Sequence, residues 1–171
     1  NNKSFNDLDV LILKKIDNYA VIQITIFRSG SNYGSIPFFP KINPEDTVEE
    51  IMEAFICQFY TKHSTPKLIL VNFFPKNKKL IEKFLSNNSK YNTTIQIPQK
   101  GLKSEIVLNG EKNALEILNR KIFEKGTNKK NLIKFKQKFN IKKSLNKIEI
   151  YDNSHLQGKN SVGAMVVFTA E

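Results

Sequence analysis

Cysteine is nearly absent from this 171-residue chain. Its single copy, Cys57, excludes an internal disulfide and a cysteine-based zinc site. Arginine is scarce as well: Arg28 and Arg120 are the only two among 27 basic residues. Other basic contacts must therefore come from lysine, which acts as a point charge and not as a bidentate fork. No apolar run approaches the ~20 residues needed to span a bilayer. The opening stretch NNKSFNDLD has neither the basic nor the apolar region of a signal peptide. It also lacks an initiating Met, as expected of a piece of a longer protein. The lone cysteine fits a cytoplasmic location.

What is present argues for a folded domain. Apolar residues make up 40% of the chain, and its length suffices for one domain with a full core, or one domain plus a fragment. The net charge is +11 and unevenly spread. Residues Arg120 to Lys147 hold eleven basic side chains and one acid, Glu124, so this stretch carries +10 and the rest of the chain +1. Two readings stand. One is a solvated lysine-rich connector. The other is a phosphate-binding stripe formed by Lys129, Lys130, Lys134, Lys136, Lys138, Lys142 and Lys143, indifferent to base sequence.

Hydrophobic periodicity lays out the elements. Leu8 to Ile16 is apolar and β-branched, Asp17-Asn18 is a turn signal, and Tyr19 to Arg28 alternates, so the two form a hairpin. Ser29 to Gly34 reads as a second turn before a short strand, Ser35 to Phe39, which Pro37 confines to a sheet edge. Val48, Ile51, Met52, Phe55, Ile56, Phe59 and Tyr60 form one helical face, and Thr47 with Glu50 is a capping-box pattern. Lys67 to Phe74 has the continuous apolar character of a strand buried on both faces. A helix over Lys78 to Asn87 is expected to turn Leu80, Ile81, Phe84 and Leu85 inward. A strand over Thr93 to Ile97 follows, then a long helix from Ser104 to Lys125 that Gly110 weakens by roughly 1 kcal/mol. The order β-β-β-α-β-α-β-α predicts an α/β domain with a mixed sheet and flanking helices. A closing hairpin, Ile148 to Phe168, opens like the first and reads as the start of a second copy of the same fold.

The acids decide where chemistry is possible. Asp152 lies at the end of an apolar alternating run, ahead of polar residues Asn153 to Ser161 and a second apolar run, Val162 to Phe168. A carboxylate there either hydrogen-bonds a loop or serves as an oxygen ligand for a hard divalent cation. His155 reads as a loop histidine, His63 as a dipole partner at a helix C-terminus, and Cys57 as helix packing. Glu49, Glu50 and Glu53 read as helix N-terminal and solvent-face acids, and Asp7 and Asp9 as capping or turn residues at the mouth of the first strand. The apolar strand Leu68 to Val71 ends in an amide, Asn72, and not in a carboxylate that could serve a hard divalent cation.

The stretch Asp152-Asn-Ser154-His155-Leu-Gln157-Gly158, followed by Val162-Gly-Ala-Met165-Val-Val-Phe168, resembles the Asp-x-Ser-His-x-Gln-Gly motif and next strand of the UvrC family, the incision subunits of bacterial nucleotide excision repair. Arg28-Ser-Gly30, Phe55 to Tyr60, Pro98 to Gly101 and Asn113-Ala114 are similar to the family in the same order, so the likeness runs along nearly the whole chain. Asn109 and Gly110 depart from it within a helix that is richer in Ala in relatives.

The resemblance implies an inactive ribonuclease H-like domain over residues 1–115, a basic helical connector over 116–147, and the truncated start of the catalytic ribonuclease H-like endonuclease domain over 148–171. Asp152 becomes the first catalytic aspartate and a ligand for Mg²⁺ or Mn²⁺, with the remaining ligands expected beyond Glu171. The parent makes dual incisions in damaged double-stranded DNA with UvrA and UvrB, and this fragment contributes the start of the 5′-incision domain. The fragment alone is expected to bind no metal and to cut nothing. It implies no membrane partner and no small-molecule substrate. The alternative is a non-catalytic protein- or DNA-interaction module in which Asp152 is structural.

Overall fold

The computed structural model describes residues 7–156 and 159–169, without the side chains of 154–156 and 159–162. Contacts divide the chain into two compact units that meet between Asn119 and Arg120. The first contains strands β1 (Asp7–Ile16), β2 (Tyr19–Arg28) and β3 (Ser31–Phe38), helix α1 (Val48–Tyr60), strand β4 (Leu68–Val71), helix α2 (Lys78–Asn87) and strand β5 (Thr94–Gln96). Helix α3 (Leu102–Lys138) begins in the first unit and ends in the second, where strands β6 (Lys147–Leu156) and β7 (Lys159–Thr169) follow.

The first sheet has the order β3-β2-β1-β4-β5. β1, β2 and β3 pair antiparallel, and β1, β4 and β5 parallel, so the mixed sheet expected from the sequence is present. β4 is shorter than its apolar run, but Ile69, Leu70 and Val71 are fully buried, as a central parallel strand requires. Pleating sends Leu11, Leu13, Ile22, Ile24, Ile69 and Val71 to one face, where they meet Met52, Ile56, Phe59 and Tyr60 of α1 and Ile81 and Leu85 of α2. α3 covers the other face, its contact fixed by Gly110 against Ile12 and by Lys14 reaching Glu111.

Three expectations need correction. The third strand begins at Ser31, within the stretch read as a turn. Ser29 and Gly30 both adopt positive φ, 51° and 77°, and complete the reversal in two residues. Gly34 then sits at φ 102° where the β2–β3 register slips, a bulge inside the strand. On α2 only Ile81 and Leu85 are buried. Leu80 is 65% exposed and Phe84 lies at the rim, because one ten-residue helix at a sheet margin offers a stripe only two residues wide. Gly110 lies within α3, as expected, and also has a packing role: a Cβ there would lie 2.8 Å from Cγ1 of buried Ile12, so glycine lets the helix cross β1 closely. The third correction is the length of that helix.

α3 extends to Lys138, well past the Lys125 expected from its apolar pattern. Its end is a Schellman turn. Asn140 takes φ 50°, its N–H donates to the Gln137 carbonyl, and the Ile141 N–H donates to the Lys136 carbonyl. Beyond it β6 and β7 pair antiparallel from Lys147↔Thr169 onward. Leu132 of α3 is buried in this second unit and, with Phe135, lines an apolar cleft of about 260 Å³ against Ile148, Ile150, Val166 and Phe168.

Candidate nuclease pole and nucleic-acid surface

The carboxyl ends of β1 and β4 face α3, and three polar side chains meet there. Asn72 follows β4 directly. Its Oδ1 accepts from the Leu13 N–H at 2.9 Å, and its Nδ2 donates to the Leu13 carbonyl at 2.9 Å and to Glu111 Oε1 at 3.0 Å. The amide thus continues the parallel β1–β4 pairing by one step beyond Leu11↔Val71. Lys14 Nζ donates to the same Glu111 oxygen at 2.7 Å. Partial burial pushes the Glu111 carboxyl up, but the hydrogen bonds from Lys14 and Asn72 outweigh it and hold the group below its ordinary value. An ammonium, an amide and a carboxylate therefore share this pole, bonded to one another.

Asp9 is not a capping or turn residue. It is the third residue of β1 and fully buried. Arg28 grips it from β2 with Nη1 at 2.5 Å from Oδ1, and Tyr60 of α1 donates to Oδ2 at 2.7 Å. Burial alone would lower the Arg28 value, but Asp9 more than restores it, and the guanidinium is held above its ordinary pKa. Burial, then the Asp9 charge, pushes the Tyr60 hydroxyl well above its ordinary range. All three elements are locked by this carboxylate. Removing Arg28 would leave it uncompensated, at a cost of roughly 3 kcal/mol or more.

Glu50 and Glu53 of α1 have structural partners. Glu50 and Thr47 form both bonds of the capping box. Glu50 also accepts from Lys76 at 2.8 Å, which with the Thr47 contacts pulls its pKa down to about 2. Glu53 receives the Asn77 backbone N–H at 2.6 Å and its side-chain amide at 3.1 Å, holding the start of α2 where Asn77 makes no cap of its own. Glu49 is exposed. At the other end of α1 His63 stacks on Phe59 and donates from Nδ1 to the Phe59 carbonyl at 2.8 Å, a helix-end contact as expected. Burial, then the Glu53 charge, pushes the half-buried Cys57 thiol up, away from reactivity.

Asp152 is not at a strand end either. β6 continues to Leu156, because a backbone ladder does not depend on apolar side chains, and Asp152 pairs with Ala164 in mid-strand. Its side chain is exposed. By the strand's alternation it shares a face with Ile148 and Ile150, the residues of the apolar cleft. Glu149 is on the opposite face, engaged by Lys147 and by Tyr151 at 2.8 Å. Among the described residues no three His, Cys, Asp or Glu side chains converge as a metal site. The side chains of Ser154 and His155, and residues Gln157 and Gly158, lie outside the described residues.

The basic side chains are spread around the second half of α3 and along the connection that follows it. Lys129, Lys130, Lys134 and Lys138 are exposed on α3 and Lys136 is half-buried there; Lys142 and Lys143 are exposed in the connection to β6. No Asp or Glu occurs between Glu124 and Glu149. Sequence reasoning singled out these lysines and Asn72 but missed Lys14, Glu111 and the role of Asp9. Their signals were an acid within the stripe Val107, Glu111, Ala114, Leu118, and polar residues in phase with buried strand positions.

The sheet order, with helices on both faces, is that of a ribonuclease H-like domain. Residues 7–121 match the family described as UvrC ribonuclease H-like domain, and residues 136–171 match the UvrC RNase H endonuclease domain. The chain belongs to the UvrC ribonuclease H-like family. It is 34% identical over 98% of its length to UvrABC system protein C of Hyphomonas neptunium, 35% over 98% to that of Mesorhizobium japonicum and 33% over 98% to that of Rhodopseudomonas palustris. It spans only about a quarter of each relative, 27%, 24% and 24% respectively.

Proposed function

We propose that the chain is the part of a nucleotide excision repair incision subunit in which an inactive ribonuclease H-like domain, residues 1–115, passes through a basic connector, 116–147, into the start of the 5′-incision domain, 148–171. The match of residues 136–171 to the endonuclease domain, with Asp152 exposed in mid-strand, carries this reading. Asp152 offers a hard oxygen donor suited to Mg²⁺ or Mn²⁺, and the rest of the ligand set belongs to the full-length parent. A bound divalent ion would activate water and stabilise the leaving oxygen of a phosphodiester. Asp152 would hold that ion on the face of β6, while the lysines of α3 and its connection hold the backbone of damaged duplex DNA. UvrA and UvrB are the partners that load the parent, a cytoplasmic protein. The first domain is then a non-catalytic module, because Lys14 and Asn72 stand where metal ligands would.

The test is Asp152→Asn in the full-length parent on a lesion-bearing duplex. The expected outcome is loss of 5′ incision with DNA loading retained, since an amide replaces a carboxylate poorly on a hard cation. Undiminished 5′ cutting would overturn the assignment. The 171-residue chain alone is expected to cut no DNA in Mg²⁺ or Mn²⁺.

A further inference from the structure

The last turns of α3 carry a feature that phosphate contacts do not explain. Phe135 and Phe139, one turn apart, hold their ring centroids 4.5 Å apart with planes 34° from parallel. They are 40% and 59% exposed. Leu132, on the same side of the helix, is buried against the hairpin and Phe135 lines the same cleft with part of its ring open, so the apolar stripe runs out from under its cover at Phe139. At 100° per residue Lys134 and Lys138 flank the rings on one side and Lys136 on the other. Lys142 and Lys143 follow directly after the Schellman turn, and no acid lies within this segment.

We infer that Phe135 and Phe139 form a stacking platform for unpaired bases of single-stranded DNA, with the surrounding lysines holding its backbone. The inference rests on the proposed DNA-binding role of those lysines and deepens it. Charge complementarity identifies the occupant as a polyanion, and the exposed rings narrow it further. In a duplex the base faces are closed by stacking; only an unpaired base offers a π-face to phenylalanine. Aromatic rings interleaved with cations are the usual means of holding a single strand without reading its sequence. A segment of unpaired DNA beside a cutting site would thus be gripped by α3 ahead of the strand that carries Asp152.

The experiment uses the whole 171-residue chain and two fluorescein-labelled probes, an oligothymidylate of about 20 nucleotides and a blunt duplex of similar length, titrated at several salt concentrations. Phe139→Ala is expected to weaken oligothymidylate binding about tenfold, the loss of one stacked base. Duplex affinity and the salt slope should stay unchanged, because no charge is removed. Phe139→Leu, apolar but unable to stack, should lose as much as Phe139→Ala. Phe139→Trp should retain affinity, and its indole, the only one in a chain without tryptophan, should be quenched by oligothymidylate. Wild-type affinity in Phe139→Ala, equal loss on both probes, or an unquenched indole would overturn the platform alone. If the unaltered chain bound neither probe with salt dependence, the lysine reading would fail and the platform with it.

Discussion

Asn72 is an amide for a reason specific to its surroundings. One side of the group must accept from the Leu13 N–H and the other must donate to both the Leu13 carbonyl and Glu111. A carboxylate satisfies the first demand and opposes the other two. Asn72→Asp is therefore expected to destabilise the domain by about 2 kcal/mol near neutral pH, despite Lys14 nearby. The new acid beside Glu111 would have its folded-state pKa raised. Protonation then favours the fold, so the deficit should shrink as pH falls through the carboxylate range and grow as pH rises. Urea unfolding from pH 4 to pH 8 measures this. A variant as stable as the parent at pH 8, or one whose melting temperature rises with Mg²⁺, would mean the pole is a dormant metal site and not a replaced one.

At the scale of elements the same logic applies to Gly110. Helix propensity alone favours Ala by about 1 kcal/mol at this position. The crossing of α3 over β1 opposes it, since the added methyl would meet Ile12 at 2.8 Å. Overpacking of that kind costs about 1–3 kcal/mol, so Gly110→Ala should leave the protein less stable. In an Ile12→Ala background, where the obstructing side chain is gone, the same substitution should become neutral or stabilising. A double-mutant cycle with a coupling of about 1 kcal/mol or more expresses this. Additive effects would show that the helix is free to move and that glycine is not needed for the approach. Read along the chain Gly110 is only a weak point in a helix. The alternation of β1, the capping box of α1 and the apolar run of β4 are legible because they are local; the crossing distance is set by a strand nearly a hundred residues away.

For the molecule as a whole, the concentration of charge is the dominant electrostatic fact. Residues Arg120 to Lys147 carry +10 of the net +11, and the remainder is near neutral. Replacing Lys129, Lys130, Lys134 and Lys138 together by Gln is expected to flatten the log-log salt dependence of duplex binding by up to about 3–4 units. Affinity should fall equally on unrelated sequences, because lysine–phosphate contacts carry no base information. Fluorescence anisotropy across a salt series is sufficient. An unchanged slope with unchanged affinity would make the stretch a solvated connector, and the DNA contacts of the parent would lie in other regions.

The sequence by itself determined the elements, their order, the mixed character of the sheet, the basic stretch and the motif around Asp152. Each of these depends on neighbours within a turn or a strand: period two or 3.6, a cap three residues away, charges in succession. Only the tertiary structure decided which polar groups meet. Lys14 and Glu111 are 97 residues apart and Asn72 is 39 from Glu111, so their convergence depends on the parallel register of β1 with β4 and on where α3 crosses. The same holds for Asp9. Its position beside Leu8 and Val10 is plain in the chain, but its inward-facing role exists only because Arg28 and Tyr60 arrive from two other elements to neutralise and bind it. A buried charge is tolerated only where such partners are supplied, and no local pattern records their arrival.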